Sequence, residues 1–559
     1  MPLAPLVSAT VLRHTRPELE PLAHVIQRIS EFLDYALPQY WSIPRACERG
    51  RDVALLERLA VYEAVSGIDP FYKAFLFRKA LVNAVKADNV ELMEWLLRNY
   101  LPHGDASKAM LKAVQRGNLR VLQWLSEYYG TNVTWVAIFF EAAAEEGHLD
   151  VLQWLCSHPT GCHASYTDDM MVSAASRGHF HVVRWLHKQM SAIRGVIYKR
   201  NKPTNALHLA ILHGHVQIAK FLWRRGYPLD AANGMDYAAR KGCLEMAEWL
   251  HSLSITGCTS DAMDHAADVG YLHIVEWLHA NRTEGCTTMA MDNAAKNGHF
   301  DVVKWLHANR KEGCSPYAMN YAAKEGHFKI LEWLHSNRKE GCTVAAMNFA
   351  AEEGHLGIVQ WLHTHRTEGC TRGAMDRAAG KGQLHVVQWL HANRKEGCTK
   401  AAMNLAAMNG QLEVIKWLHE HRSEGCTETA MDWAACYNHL EVVLWLHEHR
   451  YEGCTTNAID YAGSLEVLTW LHENRQEGCT TMAMDRCVMK GDFETLLFLH
   501  EHRSEGCSDS AANYAADNGH IEIFQWLCSN YRDKVDVESI RAYYDYDADV
   551  VATLQDVYL

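Results

Sequence analysis

Apolar residues fall at helical spacing in short bursts, and the bursts come in pairs. Between Thr287 and Cys314, Ala290, Met291, Ala294 and Ala295 share one face of a first helix, and Val302, Val303, Trp305 and Leu306 share one face of a second. Polar Asn297-Gly298-His299 lies between them, with Gly298 as the breaker. Gly313 stands where a left-handed residue would end the second helix, and Ser315, or Thr at the same place in other repeats, can cap the next first helix. The pattern predicts a helical hairpin with one apolar side, too small to bury that side by itself.

The hairpin recurs along the chain. Cys258, Cys286, Cys314, Cys342, Cys370, Cys398, Cys426 and Cys454 are 28 residues apart, and Cys479 and Cys507 continue the series after one step of 25. The tryptophan slot of the second helix extends the array to 16 members, from Trp95 through Trp124, Trp154, Trp185 and Phe221 to Trp526. Such a fixed period marks a solenoid in which each repeat touches only its neighbours. The expected fold is all-α, a solenoid of stacked helical hairpins with short connecting loops. We divide it into residues 1–78, a helical N-terminal cap with a degenerate repeat around Ala46 to Leu56; residues 79–530, the array; and residues 531–559, a C-terminal cap or acidic tail.

Asn205-Ala-Leu-His-Leu-Ala, followed by Gly214-His215 and an apolar helix ending at Arg225-Gly226, resembles a standard ankyrin repeat with its T-P-L-H-x-A signature. The other repeats resemble a variant in which Ala-Met-Asp or Ala-Met-Asn replaces Pro-Leu-His, and the Trp-Leu-His and Glu-Gly-Cys phrases resemble the oomycete-type ankyrin proteins with 28-residue repeats. The resemblance covers about residues 79 to 530 and implies an ankyrin-type solenoid that binds proteins through a concave groove. One departure matters. The ankyrin repeat is about 33 residues long, and the residues missing here fall where ankyrins project a β-hairpin finger, so recognition through such fingers is not expected.

Helical geometry selects the face left for a partner. If Met291, Ala294 and Ala295 point into the stack, positions 289, 293, 296 and 297 lie opposite, at 100° per residue. These are the variable positions, and the slot of Asn293 holds Tyr237, His265, Tyr321, Phe349, Arg377, Leu405, Trp433, Tyr461, Arg486 and Tyr514 elsewhere. Large aromatic and arginine side chains anchor interfaces, and the resemblance places this row in the groove. The competing reading is that these side chains stack on one another and cover the alanine seam.

Two further columns look chemical. Histidine follows Trp-Leu at His279, His307, His335 and their equivalents, and cysteine follows glycine, but the His279 to Cys286 spacing lacks the paired close ligands of a structural zinc site. We therefore expect histidines that cap helix C-termini and small buried thiols, with no metal and no cofactor. Arg282 with Glu284, repeated through Arg503 with Glu505, reads as a ladder of solvated ion pairs.

The formal net charge of −13 argues against general binding to nucleic acid or an anionic membrane. Seventeen cysteines in a long chain, at ladder spacings beyond disulfide reach, suit free thiols in a reducing compartment, cytoplasmic or nuclear. Neither a secretion signal nor a run of 18 apolar residues is found. Two irregularities stand out. Lys188 to Thr204 is a basic insertion, and Ala462-Gly463-Ser464 shortens one first helix, where curvature is expected to change.

Nucleophile elbows, phosphate loops, kinase motifs and metal-binding helices are absent from the sequence, which argues against an enzyme. The expected function is a monomeric, non-catalytic scaffold for a protein or peptide partner. The alternative is a substrate-recruiting adaptor of a ubiquitin ligase, with residues 16 to 60 as an F-box-like docking element carried by Pro17-Glu-Leu-Glu-Pro-Leu and Phe32-Leu33.

Overall fold

A computed structural model describes residues 41–543, apart from 51–52, 103, 131–134, 159–167, 195–204, 230–232 and 255–256, together with Val550 and Leu554. Most of the expected N-terminal cap, the front of the F-box-like element, the end of the basic insertion and the acidic segment after Tyr543 lie outside the described residues. Helices carry the fold, and no strand occurs among the described residues. Two compact bodies are distinguished, one formed by residues 1–210 and 217–229, the other by residues 211–216 and 230–559.

In the first body, helix Ile43–Glu48 packs on Pro70–Lys86, which packs on Ser107–Gln115; Ser107–Gln115 in turn packs on Ala137–Glu145, and that helix on Asp168–Arg177. Each pair is closed by a second helix such as Leu119–Tyr129 or Leu149–Ser157. The segment from Ala46 thus belongs to a helical pair that stacks as a repeat does.

The second body shows the repeat most clearly. First helix Thr288–Lys296 packs against its own second helix Phe300–Asn309 and against the neighbouring first helices Asp261–Val269 and Pro316–Lys324. Close approach is possible because Ala290, Ala294 and Ala295 are at most 1% exposed and have almost no side chain to separate the backbones. Met291, Val302, Val303 and Leu306 complete the buried face. As expected, Thr287 and Ser315 are extended caps whose hydroxyls accept hydrogen bonds from Met289 N and Tyr317 N. Gly298 makes the break between the helices with φ +82°.

Two expectations need correction. Gly313 is left-handed, with φ +74°, but the second helix already ends at Asn309, so the glycine turns the connector toward Cys314. Asn309 closes the helix itself, its Nδ2 donating to Trp305 O at 2.8 Å. Trp305 and most of its equivalents are half-buried rather than core residues; Trp95 and Trp526 are the buried exceptions.

Candidate partner-binding surface

All ten proposed contact residues, and Leu405 with them, lie in the second body on or directly after first helices. Tyr237, His265, Asn293, Tyr321, Phe349, Leu405, Arg486 and Tyr514 are half-buried, while Arg377, Trp433 and Tyr461 are exposed. The opposite side of the same helices is the alanine seam. The row is therefore neither core nor free surface.

Its members also touch one another. Tyr321 stacks on Phe349 with centroids 6.1 Å apart and planes at 9°, and Tyr317 stacks on Tyr321 at 5.8 Å. Lys296 approaches the Tyr321 ring at 5.6 Å, and the Arg377 guanidinium lies 5.8 Å from the Phe349 ring while pairing with Glu352 at 3.3 Å. Four consecutive repeats are thereby linked by a cationic and aromatic ladder. Farther along, Arg486 lies 4.7 Å from the Tyr461 ring.

What keeps the row in register is a set of contacts between successive repeats. Asp264, almost fully buried, accepts from Thr287 N at 2.8 Å and Thr287 Oγ1 at 2.6 Å in the next repeat. Asp236, Asp292, Asp376, Asp432 and Asp460 repeat this two-pronged grip on the following cap residue. Burial pushes the Asp264 carboxyl above the usual carboxylate range, against the opposing pull of the Thr287 hydrogen bonds. Where asparagine stands instead, Asn320 Oδ1 accepts from Thr343 N at 2.9 Å and its Nδ2 donates to Thr343 Oγ1 at 3.0 Å. This column was missed in the sequence. Its signal was there, in the joint recurrence of Ala-Met-Asp or Ala-Met-Asn with Gly-Cys-Thr or Gly-Cys-Ser 23 residues later.

The ion pairs depart from the solvated ladder expected of them. Arg310 donates to Glu312 through Nε at 3.3 Å and through Nη2, and their side chains are only 22% and 28% exposed. The same guanidinium reaches back to His279 Nδ1 of the preceding repeat at 3.4 Å and covers Gly285. The Arg310 hydrogen bond holds the Glu312 carboxyl at about 2. His279 does not cap its helix, contrary to expectation. It meets Trp305 of the next repeat edge-on, with centroids 5.2 Å apart, because the connector brings that indole beneath it. Histidines that take this capping role include His365, His421, His449 and His502, whose Nδ1 lies 2.9, 2.9, 3.0 and 2.9 Å from the carbonyls of Trp361, Trp417, Trp445 and Phe498. The thiols are buried as expected, and burial pushes Cys286 up to about 11. No cluster of three metal-ligating side chains occurs among the described residues.

Family models described as ankyrin repeats match most of the array. The form with three copies matches residues 139–233, 170–264 and 374–460, and the form with many copies matches 263–307, 291–335, 319–363, 347–391 and 484–527. The chain belongs to the ankyrin-repeat family. Ankyrin repeats imply a scaffold for protein–protein interaction. Among solved structures, this ankyrin-repeat protein is similar to a pentatricopeptide repeat protein, PPR10 from maize, at 11% identity, over 99% of this chain and 90% of that one. The TM-score of 0.30 makes that likeness too loose to carry an argument. No curated protein matches the sequence. No helix among the described residues is long and apolar enough to cross a membrane.

Proposed function

We propose that this ankyrin-repeat protein holds a protein or peptide partner along the outward row of its first helices, from Tyr237 to Tyr514. One observation carries the reading: on a framework repeated nearly residue for residue, the row varies, and it is rich in aromatic, arginine and histidine side chains that are half-buried or exposed. Rigid rings already stacked on their neighbours lose little rotamer freedom when a partner covers them, which suits them as anchors. The second helices and connectors, by contrast, repeat the residues that hold the stack. The scaffold works as a monomer in a reducing compartment, cytoplasmic or nuclear, in keeping with thiols that are free among the described residues.

The test is quantitative capture by three full-length proteins: the natural chain, a Tyr321→Ala, Phe349→Ala, Trp433→Ala variant, and a control with Lys304→Ala and Glu332→Ala on second helices. Partners lost by the row variant and kept by the control support the reading. Equal capture by all three, with unchanged helical content, refutes it.

A further inference from the structure

The repeat shortened at Gly463 interrupts the first-helix layer. Its first helix spans only Asn457–Asp460, against Lys400–Met408 two repeats earlier. Gly463 instead runs directly against the preceding repeat, donating its N–H to Ala435 O at 2.9 Å, where a Cβ would meet Cys436 O at 2.7 Å. Elsewhere the row joins immediate neighbours. Here Arg486 crosses the shortened repeat, and its Nη atoms come within 3.9 and 4.0 Å of Cys436 Sγ, 50 residues away.

Three large rings border this break. Trp433 is 37% exposed, Tyr437 56% and Tyr461 38%. Arg486 is half-buried on Tyr461 and has no carboxylate partner among the described residues, whereas Arg377 on the same row is neutralised by Glu352. In the four first helices from Lys400–Met408 to Met482–Lys490 the carboxylates are Asp432, Asp460 and Asp485. All three are buried and occupied by the cap residues Thr455, Thr480 and Ser508. Lys490 adds an exposed positive charge. An arginine with no carboxylate partner among the described residues therefore shares an aromatic-walled patch with Trp433 and Tyr461 where the first-helix layer is cut.

We propose that this patch is a docking site for an acidic peptide segment, one with a large apolar side chain beside a carboxylate. The apolar group lies against Trp433 and Tyr461, and the carboxylate takes the guanidinium fork of Arg486, whose hydrogen-bond partner among the described residues is a weak sulfur acceptor. A peptide fits better than a nucleic acid, since one open guanidinium and one lysine cannot follow a phosphate backbone that needs many cations. The inference rests on the proposed use of the row and narrows it to one stretch and one ligand chemistry.

The experiment is selection of a phage-displayed dodecapeptide library on the full chain, followed by fluorescence anisotropy with the enriched peptides. Enriched sequences should pair Asp or Glu with a large apolar residue. Their affinity should fall at least tenfold with Arg486→Glu or Trp433→Ala, and should weaken with added salt on the natural chain; Lys304→Ala with Glu332→Ala, on second helices, should leave it unchanged. The salt series and Arg486→Lys, which keeps charge but loses the fork, serve if Arg486→Glu lowers the melting temperature. Peptides sensitive to Tyr321 and Phe349 but not to Trp433 and Arg486 would overturn this site while leaving the row in use. Indifference to both pairs, or no enrichment, would overturn both readings. Trp433-dependent binding of fluorescein-labelled oligodeoxythymidylate, with no such peptide binding, would overturn the site in favour of nucleic acid.

Discussion

Replacing Asp264 by alanine should open the stack locally between two repeats. The carboxylate accepts two hydrogen bonds from Thr287, 2.8 and 2.6 Å long, and Thr287 Oγ1 in turn accepts from Met289 N at 3.1 Å to cap the next first helix. Hydrogen bonds to a charged group contribute about 1.5–3 kcal/mol each, and removing the charge returns part of its burial cost, so a net loss of about 2–4 kcal/mol is expected. Because a repeat array is stabilised by neighbour terms, the loss belongs to the interface beside Asp264 rather than to the whole chain. Hydrogen–deuterium exchange reads this directly. At about 1.4 kcal/mol per tenfold, protection across Asp261–Val269 and Thr288–Lys296 should drop roughly 30- to 700-fold, while distant repeats stay unchanged.

Asp264→Asn separates geometry from charge. Asparagine makes the same two contacts at Asn320, but there the threonine hydroxyl accepts from the amide, whereas toward aspartate it donates. Burial raises the Asp264 carboxyl in the folded state, so its contribution is fully present below the unfolded value and is lost as pH rises through the folded value. The asparagine variant should consequently equal or exceed the natural chain near pH 7 and lose that advantage on acidification. Protection within a few-fold of natural in Asp264→Ala, or equal damage from alanine and asparagine, would refute the reasoning.

Gly285→Ala should lower the urea midpoint, since φ of +76° costs a side chain about 1–2 kcal/mol and the new methyl would overlap the Arg310 guanidinium. Adding Arg310→Ala should relieve the overlap, giving non-additive losses in a double-mutant cycle. Glu312, held at about 2 by Arg310, contributes stability above the unfolded carboxylate value that disappears as pH falls from about 4.5 toward 2, so Glu312→Gln should flatten that limb of an acid titration followed by circular dichroism. Cys258, Cys286 and Cys314, buried and pushed up to about 11, should resist iodoacetamide at pH 8 in the folded protein and react fully in urea, as counted by mass spectrometry.

Periodicity was enough to specify helical hairpins and the alanine seam, because each depends on local spacing repeated many times, and the resemblance carried by Asn205-Ala-Leu-His-Leu-Ala pointed to the ankyrin family. Periodicity also located the variable row, since 100° per residue places Asn293 opposite Met291 whatever the neighbours do. Tertiary structure decided what the polar columns do. Asp264 bonds across repeats to Thr287, and Arg310 to His279, over separations that no single helix register encodes. Three-dimensional packing likewise left Trp305 half-buried and carried Arg486 over a shortened repeat to Cys436, where a missing turn changed which residues could meet. Local spacing specifies which face a side chain occupies; only the stack determines what stands opposite it.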